Sequence, residues 1–180
     1  MKITFVDGSP ESDQKTGYPG DLVSTLQRAG HPVHLFEAEK MNIHYCTGCW
    51  SCWWKTPGCC AFRDDMEGLY KSYLSSDLVL HFSPISMGFV SSRLKTINDR
   101  SIPLVHPYTT LVENECHHKR RYDRYPMFGL IVDPRGADSE ELDITRNLYA
   151  RMALNLKSEL KFFFTTEQKQ EELIDEISRL

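Results

Sequence analysis

The sequence predicts a doubly wound α/β fold, a parallel sheet of five strands with helices on both faces. Two observations predict it. Short β-rich runs alternate with stretches of helical periodicity along the whole chain, the pattern of successive βαβ units. The middle run, Asp77 to Ser83 (DLVLHFS), is nearly continuous in apolar residues, as a strand buried on both faces should be. The 180 residues fit a single domain, residues 1–180, and five strands at this length favour a doubly wound sheet over an eight-fold barrel.

The elements follow in order. Lys2 to Val6 (KITFV) is a short strand ended by the turn Asp7-Gly8-Ser9-Pro10. A helix begins near Pro19, carries Leu22, Val23, Leu26 and Ala29 on one face, and closes at Gly30. Pro32 to Ala38 is the second strand. Asp64 and Glu67 form a cap pattern ahead of Met66, Leu69, Tyr70, Tyr73 and Leu74 at helical spacing. After the third strand, Pro84 to Gly88 reads as a loop, and Val90, Leu94 and Ile97 mark a helix. Met127 to Asp133 is the fourth strand. Asp138 and Glu141 repeat the cap pattern before a long helix, Leu160 to Thr166 is the fifth strand, and Thr165 with Gln168 opens the last helix.

Five strands at this length favour the flavodoxin-like three-layer sheet in order 2-1-3-4-5. Ligands of such sheets bind beyond the carboxyl ends of the strands, where the order reverses. That rule selects two loops. In Asp7 to Gly20, Ser9, Ser12, Thr16 and Gly17 supply hydroxyls and backbone N–H groups suited to a phosphate at a helix N-terminus. Glu11 and Asp13 add charge of the opposing sense. In Ser83 to Lys95, Pro84, Ile85, Met87 and Phe89 can line one side of a flat ring, and the backbone of Ser86 to Gly88 can bond its polar edge.

Five of the six cysteines fall between Tyr45 and Met66, spaced Cys46-x2-Cys49-x2-Cys52-x6-Cys59 with Cys60 adjacent. A cubane iron–sulfur cluster needs four thiolates from a compact loop, and this spacing can supply them. Zinc also takes four thiolates, but more often from two separated knuckles. Unoccupied thiols are a third reading. The first residues reach a polar turn quickly and show no leader pattern. The expected location is therefore cytoplasmic, where disulfides are rare.

A Gly8-Ser9-Pro10 turn, the run Cys46 to Cys59 with Gly48, Asp64-Asp65-Met66, Ser83-Pro84, Leu94-Lys95 and Asp99-Arg100 occur in this order. The set resembles the NADPH-dependent FMN reductase and iron–sulfur flavoprotein group. That resemblance implies an FMN-dependent oxidoreductase, commonly a homodimer or homotetramer. It would pass electrons from NAD(P)H through FMN to an electron acceptor. It further implies phosphate contacts from Ser9, Ser12, Thr16 and Gly17 and ring contacts from Pro84, Ile85, Ser86, Met87, Gly88 and Phe89. A [4Fe–4S] cluster would sit on Cys46, Cys49, Cys52 and Cys59, with Cys60 spare or substituting for Cys59. The chain departs from the group's pattern at Glu11, where an arginine is usual, and at Ser86 and Met87, where aromatic residues are usual. Those departures keep open a flavin-free interaction module, and an electron carrier of the same fold reduced by a protein partner is a further alternative.

The net charge of −4 argues against nucleic acid and anionic membrane surfaces as partners. No apolar run reaches the length of a membrane span. The basic island His117 to Arg124 is expected on the surface, facing solvent or an acidic group. Cys116-His117-His118 is expected in a surface loop, because adjacent residues rarely converge on one ion.

Overall fold

The computed structural model describes residues 1–10 and 17–180. Its main sheet joins β1 (Ile3–Asp7), β2 (Val33–Glu37), β3 (Leu78–Ser86), β7 (Met127–Asp133) and β8 (Leu160–Thr165) in the order β2-β1-β3-β7-β8. All four pairings are parallel, so the expected 2-1-3-4-5 order is observed. In register, Ile3 faces Val33 on one side and Leu78 on the other.

Alternation along each strand builds two cores. Ile3, Phe5, Leu80 and Phe82 pack under α1 (Tyr18–Arg28) and α6 (Gln170–Ser178), meeting Leu22, Leu26, Leu173 and Ile177. Val6, Val79, Leu130 and Val132 face α3 (Met66–Ser75), α4 (Ser92–Asp99) and α5 (Ser139–Asn155). On this second face Thr4 and His81 replace apolar residues, and both are bonded. Thr4 Oγ1 reaches Ser72 and Ser76 at 2.6 and 2.7 Å, while His81 contacts two tyrosine hydroxyls.

The two cap patterns diverge. Asp138 and Glu141 form a complete capping box on α5. At α3, Met66 N does donate to Asp64 Oδ1 at 3.2 Å, but Glu67 turns away to pair with Arg63 at 2.5 Å. Thr165 N donates to Gln168 Oε1, and α6 then starts two residues later.

Three segments correct the sequence reading. Pro84 to Gly88 is not a loop, because β3 runs on to Ser86 and folds back into β4 (Phe89–Val90). The turn between them has positive φ at Met87 and Gly88, 52° and 75°, the geometry that keeps a tight hairpin twisted like its strands. Residues between α4 and β7 form an antiparallel hairpin, β5 (Val105–Val112) with β6 (Glu115–Arg120). Cys116, His117 and His118 therefore lie in a strand rather than a loop. A short helix, α2 (Ser51–Trp54), interrupts the cysteine stretch.

Among the described residues no helix is long and apolar enough to cross a membrane.

Candidate functional site

At the carboxyl ends of β1 and β3 the backbone is tightly tied. Gly8 N donates to the Phe82 carbonyl at 2.8 Å. A side chain at Gly8 would come within 2.9 Å of both that oxygen and Leu94 Cβ, so glycine is required by the close approach. Ser91 Oγ donates to the Gly8 carbonyl at 2.6 Å and accepts from Leu94 N, capping α4. Asp7 Oδ1 accepts from Ser9 N at 2.9 Å. Burial raises the Asp7 carboxyl above its usual range, and the Ser9 hydrogen bonds only partly offset that.

Of the expected phosphate contacts, Ser9 is buried on this turn, and Gly17 opens α1 with φ 70°. No side chain among the described residues caps α1, so its first N–H groups lack intrahelical acceptors. Pro19 removes one donor, and Asp21 brings a carboxylate to the first turn. Ser12 and Thr16 lie outside the described residues, as does Glu11.

The expected ring contacts divide. Pro84 and Ile85 are buried within β3, Pro84 in register with Asp133. Phe89 is half-buried, its ring centroid 6.2 Å from that of Tyr149. Ser86 and Met87 are exposed at the hairpin turn, and Gly88 follows with its carbonyl facing Thr145 Oγ1 at 3.5 Å. Only this tip is free to meet a ring. The residues present fit FMN at the helix N-terminus and at the tip, and lack the group's arginine and aromatics.

The second feature lies lower on the α4 side. A cavity of about 200 Å³ is lined by Cys46, Cys49, Cys52 and Cys60 together with Trp50, Trp53, Phe62, Arg100 and Pro103. All six cysteines of the chain are free thiols. Cys59 is exposed and does not line the cavity. No described residue of the β1 or β3 loops lines it either. The cysteine stretch thus packs on the C-terminal end of α4, away from the turns at the switch point.

Local backbone explains how the stretch curls. Gly48 and Trp50 take left-handed φ of 63° and 60°, reversing the chain between Cys46 and Cys52. Gly58, at φ 85°, returns its N–H to the Cys52 carbonyl at 2.9 Å, bringing Cys60 back to the cavity. Trp53 Nε1 donates to the Ile102 and Val105 carbonyls at 3.3 and 3.1 Å, and its ring lies 4.8 Å from that of His118. The β5–β6 hairpin therefore forms a wall of the cysteine stretch.

Asp64 and Asp65 anchor its approach. Asp65 Oδ2 accepts from Asn42 N at 2.7 Å and Asp64 Oδ2 from His44 N at 3.0 Å. Asp64 also accepts from both terminal nitrogens of Arg100, at 2.8 and 2.9 Å, and both side chains are 1% exposed. Burial opposes ionisation of Asp64, but the Arg100 hydrogen bonds and the His44 N–H outweigh it and hold the carboxyl below its usual range. Arg100 Nη1 further donates to the His44 carbonyl at 2.5 Å. Arg100 Nε is buried without a partner among the described residues.

The thiols sense one another. Cys52 is pushed up by burial and then by the neighbouring charges of Cys60, Cys46 and Cys49, while Cys49 is lowered by its Ser51 hydrogen bonds. Among the described residues no three thiols, imidazoles or carboxylates stand close enough to hold a single metal ion. In a cubane each iron takes one thiolate, so ligands ring a cavity instead of converging on a point. Four thiols around this cavity, with Arg100 among its lining residues, fit that group.

Sequence reasoning missed Arg100 and the hairpin wall. Arg100 was visible only as half of a motif dipeptide. Cys116 is exposed and His117 pairs with Glu115 at 3.0 Å, so these neighbours form no metal corner. In the basic island, Arg121 donates to the Val105 carbonyl at 3.1 Å, and Arg124 pairs with Asp77.

The architecture defines the class, a flavodoxin-like α/β protein. A candidate quinone reductase from Klebsiella pneumoniae superposes with TM-score 0.67 at 16% identity, covering 99% of this chain and 83% of that one. An FMN-dependent NADH-azoreductase from Bacillus anthracis, solved with FMN, gives 0.57 at 10%, covering 99% and 94%. These likenesses establish the fold. Sequence narrows the kinship. An iron–sulfur flavoprotein of Archaeoglobus fulgidus is 34% identical over 110 residues, 59% of this chain and 48% of that one. Another, from Methanocaldococcus jannaschii, is 31% identical over 100 residues, 56% and 50%. Over these stretches the chain is similar to iron–sulfur flavoproteins, and it spans about half the length of these curated relatives. No protein-family model matches it.

Proposed function

We propose that this chain is an FMN-dependent oxidoreductase that draws electrons from NAD(P)H and passes them to an electron acceptor by way of an iron–sulfur cluster. The observation that carries the reading is the four-thiol cavity built onto a sheet whose switch point presents a helix N-terminus that no described side chain caps. The flavoprotein relatives support it. Bound FMN would supply hydride acceptance and single-electron release. Ser9, Gly17 and the first N–H groups of α1 would hold its phosphate, with Ser12 and Thr16 in the same loop. Ser86 to Gly88 would meet the ring edge, and Met87 would pack on its face through a polarizable sulfur. Cys46, Cys49, Cys52 and Cys60 would hold the cluster, Trp50 and Trp53 shielding it from water. Cys60 replaces Cys59 in this set because it lines the cavity.

Anaerobic purification followed by absorption spectroscopy and iron, sulfide and flavin analysis tests both cofactors. Stopped-flow mixing with NADPH and with NADH then tests the donor. Rapid bleaching of the flavin by either one is expected. Protein that binds no FMN when offered an excess sinks the reading.

A second reading is an electron carrier reduced by a protein partner. The exposed Trp50 and Trp54 beside the thiols favour it, since an apolar rim at a redox centre suits docking. Flavin that stays oxidised with both nicotinamides, yet is reduced by a protein donor, would select the carrier. A homodimer or homotetramer is expected by size-exclusion chromatography with light scattering.

A further inference from the structure

We infer that Arg100 raises the reduction potential of the cluster held in the thiol cavity, acting as a positioning and charge-setting residue rather than only as a structural brace. The inference rests on the cluster reading above and goes beyond its ligands.

Arg100 is 2% exposed and lines the cavity, whereas its counter-ion Asp64 does not. The ion pair therefore presents its positive end to the thiols. Nη1 and Nη2 are consumed by Asp64 and by the His44 carbonyl. Nε alone has no partner among the described residues, and a buried donor left unmade is costly. The guanidinium also sits 5.5 Å from the Phe62 ring centroid, and the one carboxylate on the described lining, Asp99, is paired with Lys95. A guanidinium stays charged at every working pH.

A cluster on four thiolates carries net negative charge, and one-electron reduction adds another. A fixed cation in a site of low dielectric favours the more negative form. No proton moves in this account, and the electron comes from the reductant supplied. Bracing alone would affect how well the chain folds, not the potential.

The test uses the full chain, reconstituted anaerobically with ferrous iron and sulfide and titrated with dithionite under EPR detection. Asp64→Asn with Arg100→Gln removes both charges while leaving two groups able to hydrogen-bond. The equilibrium constant for reduction should fall at least tenfold, a shift of about 59 mV to lower potential for one electron. Arg100→Lys keeps a partner for Asp64 but loses the Nε donor, and should shift the potential the same way by less. If the double variant does not fold, Arg100→Lys decides. A folded, cluster-loaded variant that titrates at the wild-type potential overturns the role of Arg100. Wild-type chain that takes up no iron and sulfide overturns the cluster reading itself, a separate result.

Discussion

Tyr73 Oη stands 2.6 Å from His81 Nε2, deep between the sheet and α3. The other ring nitrogen of His81 lies 3.3 Å from Tyr149 Oη, which accepts from Asn98 Nδ2 at 3.0 Å. The imidazole is thus bonded at both nitrogens and fully enclosed, with no carboxylate among these partners. Burial pushes its pKa down from 6.5 to about 3, so the folded chain carries His81 neutral.

That has a pH consequence of definite sign. Below about pH 6.5 the unfolded chain binds a proton that the folded chain refuses until about pH 3. Stability attributable to His81 is therefore intact above that range and lost on acidification, by up to about 1.4 kcal/mol per pH unit. Urea midpoints at pH 7 and pH 5 should fall further apart for wild type than for His81→Gln. Identical pH dependence in the two proteins would contradict the assignment.

The Asp64–Arg100 pair is buried on both sides, so removing one partner strands the other. Asp64→Ala should cost ~3–5 kcal/mol in chemical denaturation, well above an exposed pair such as Lys95–Asp99 at ~0.2–1 kcal/mol. Equal, small losses at both sites would mean that Asp64 and Arg100 are solvated.

Cys59 and Cys60 are neighbours with different surroundings. Cys60→Ser should lose most of the iron and sulfide retained after anaerobic reconstitution, while Cys59→Ser should keep it. The reverse result would restore the ligand set that the family resemblance implies.

Two glycines give opposite outcomes. An added Cβ at Gly129 would stand 2.6 Å from Leu80 Cδ2 and 2.9 Å from Phe162 Cδ2, whereas at Gly20 it meets nothing within 4 Å. Gly129→Ala should destabilise by ~1–3 kcal/mol through overpacking. Gly20→Ala, in α1, should gain up to ~1 kcal/mol from helix propensity. Thermal melts of the pair check both, and a neutral Gly129→Ala would show that β7 and β8 have room to part.

The parallel sheet was legible because its strands are dense in apolar residues and its helices are clearly periodic. The β5–β6 hairpin was not, for physical reasons. Most of its residues from His106 onward face solvent, so no alternation marks them. Its turn places Glu113 and Asn114 at positive φ without the glycine that usually signals such a turn. The two Asp-x-x-Glu cap patterns read alike, yet only Asp138 makes the full box. Asp64 is drawn instead to an arginine 36 positions away, and such a distance leaves no periodic trace. At the candidate site, three of the four cysteines implied by the resemblance line the cavity. The choice between Cys59 and Cys60 depended on the reversal at Gly58, which spacing does not encode.

Trp53 fastens the cysteine stretch to the β5–β6 hairpin, and both segments are excursions from the doubly wound frame. Neither is complete as a transplant. A flavodoxin-like scaffold engineered to receive the thiol loop alone would lack the carbonyls of Ile102 and Val105 and the ring of His118. The two excursions make one portable unit, and protein engineers moving this thiol cavity should graft them together.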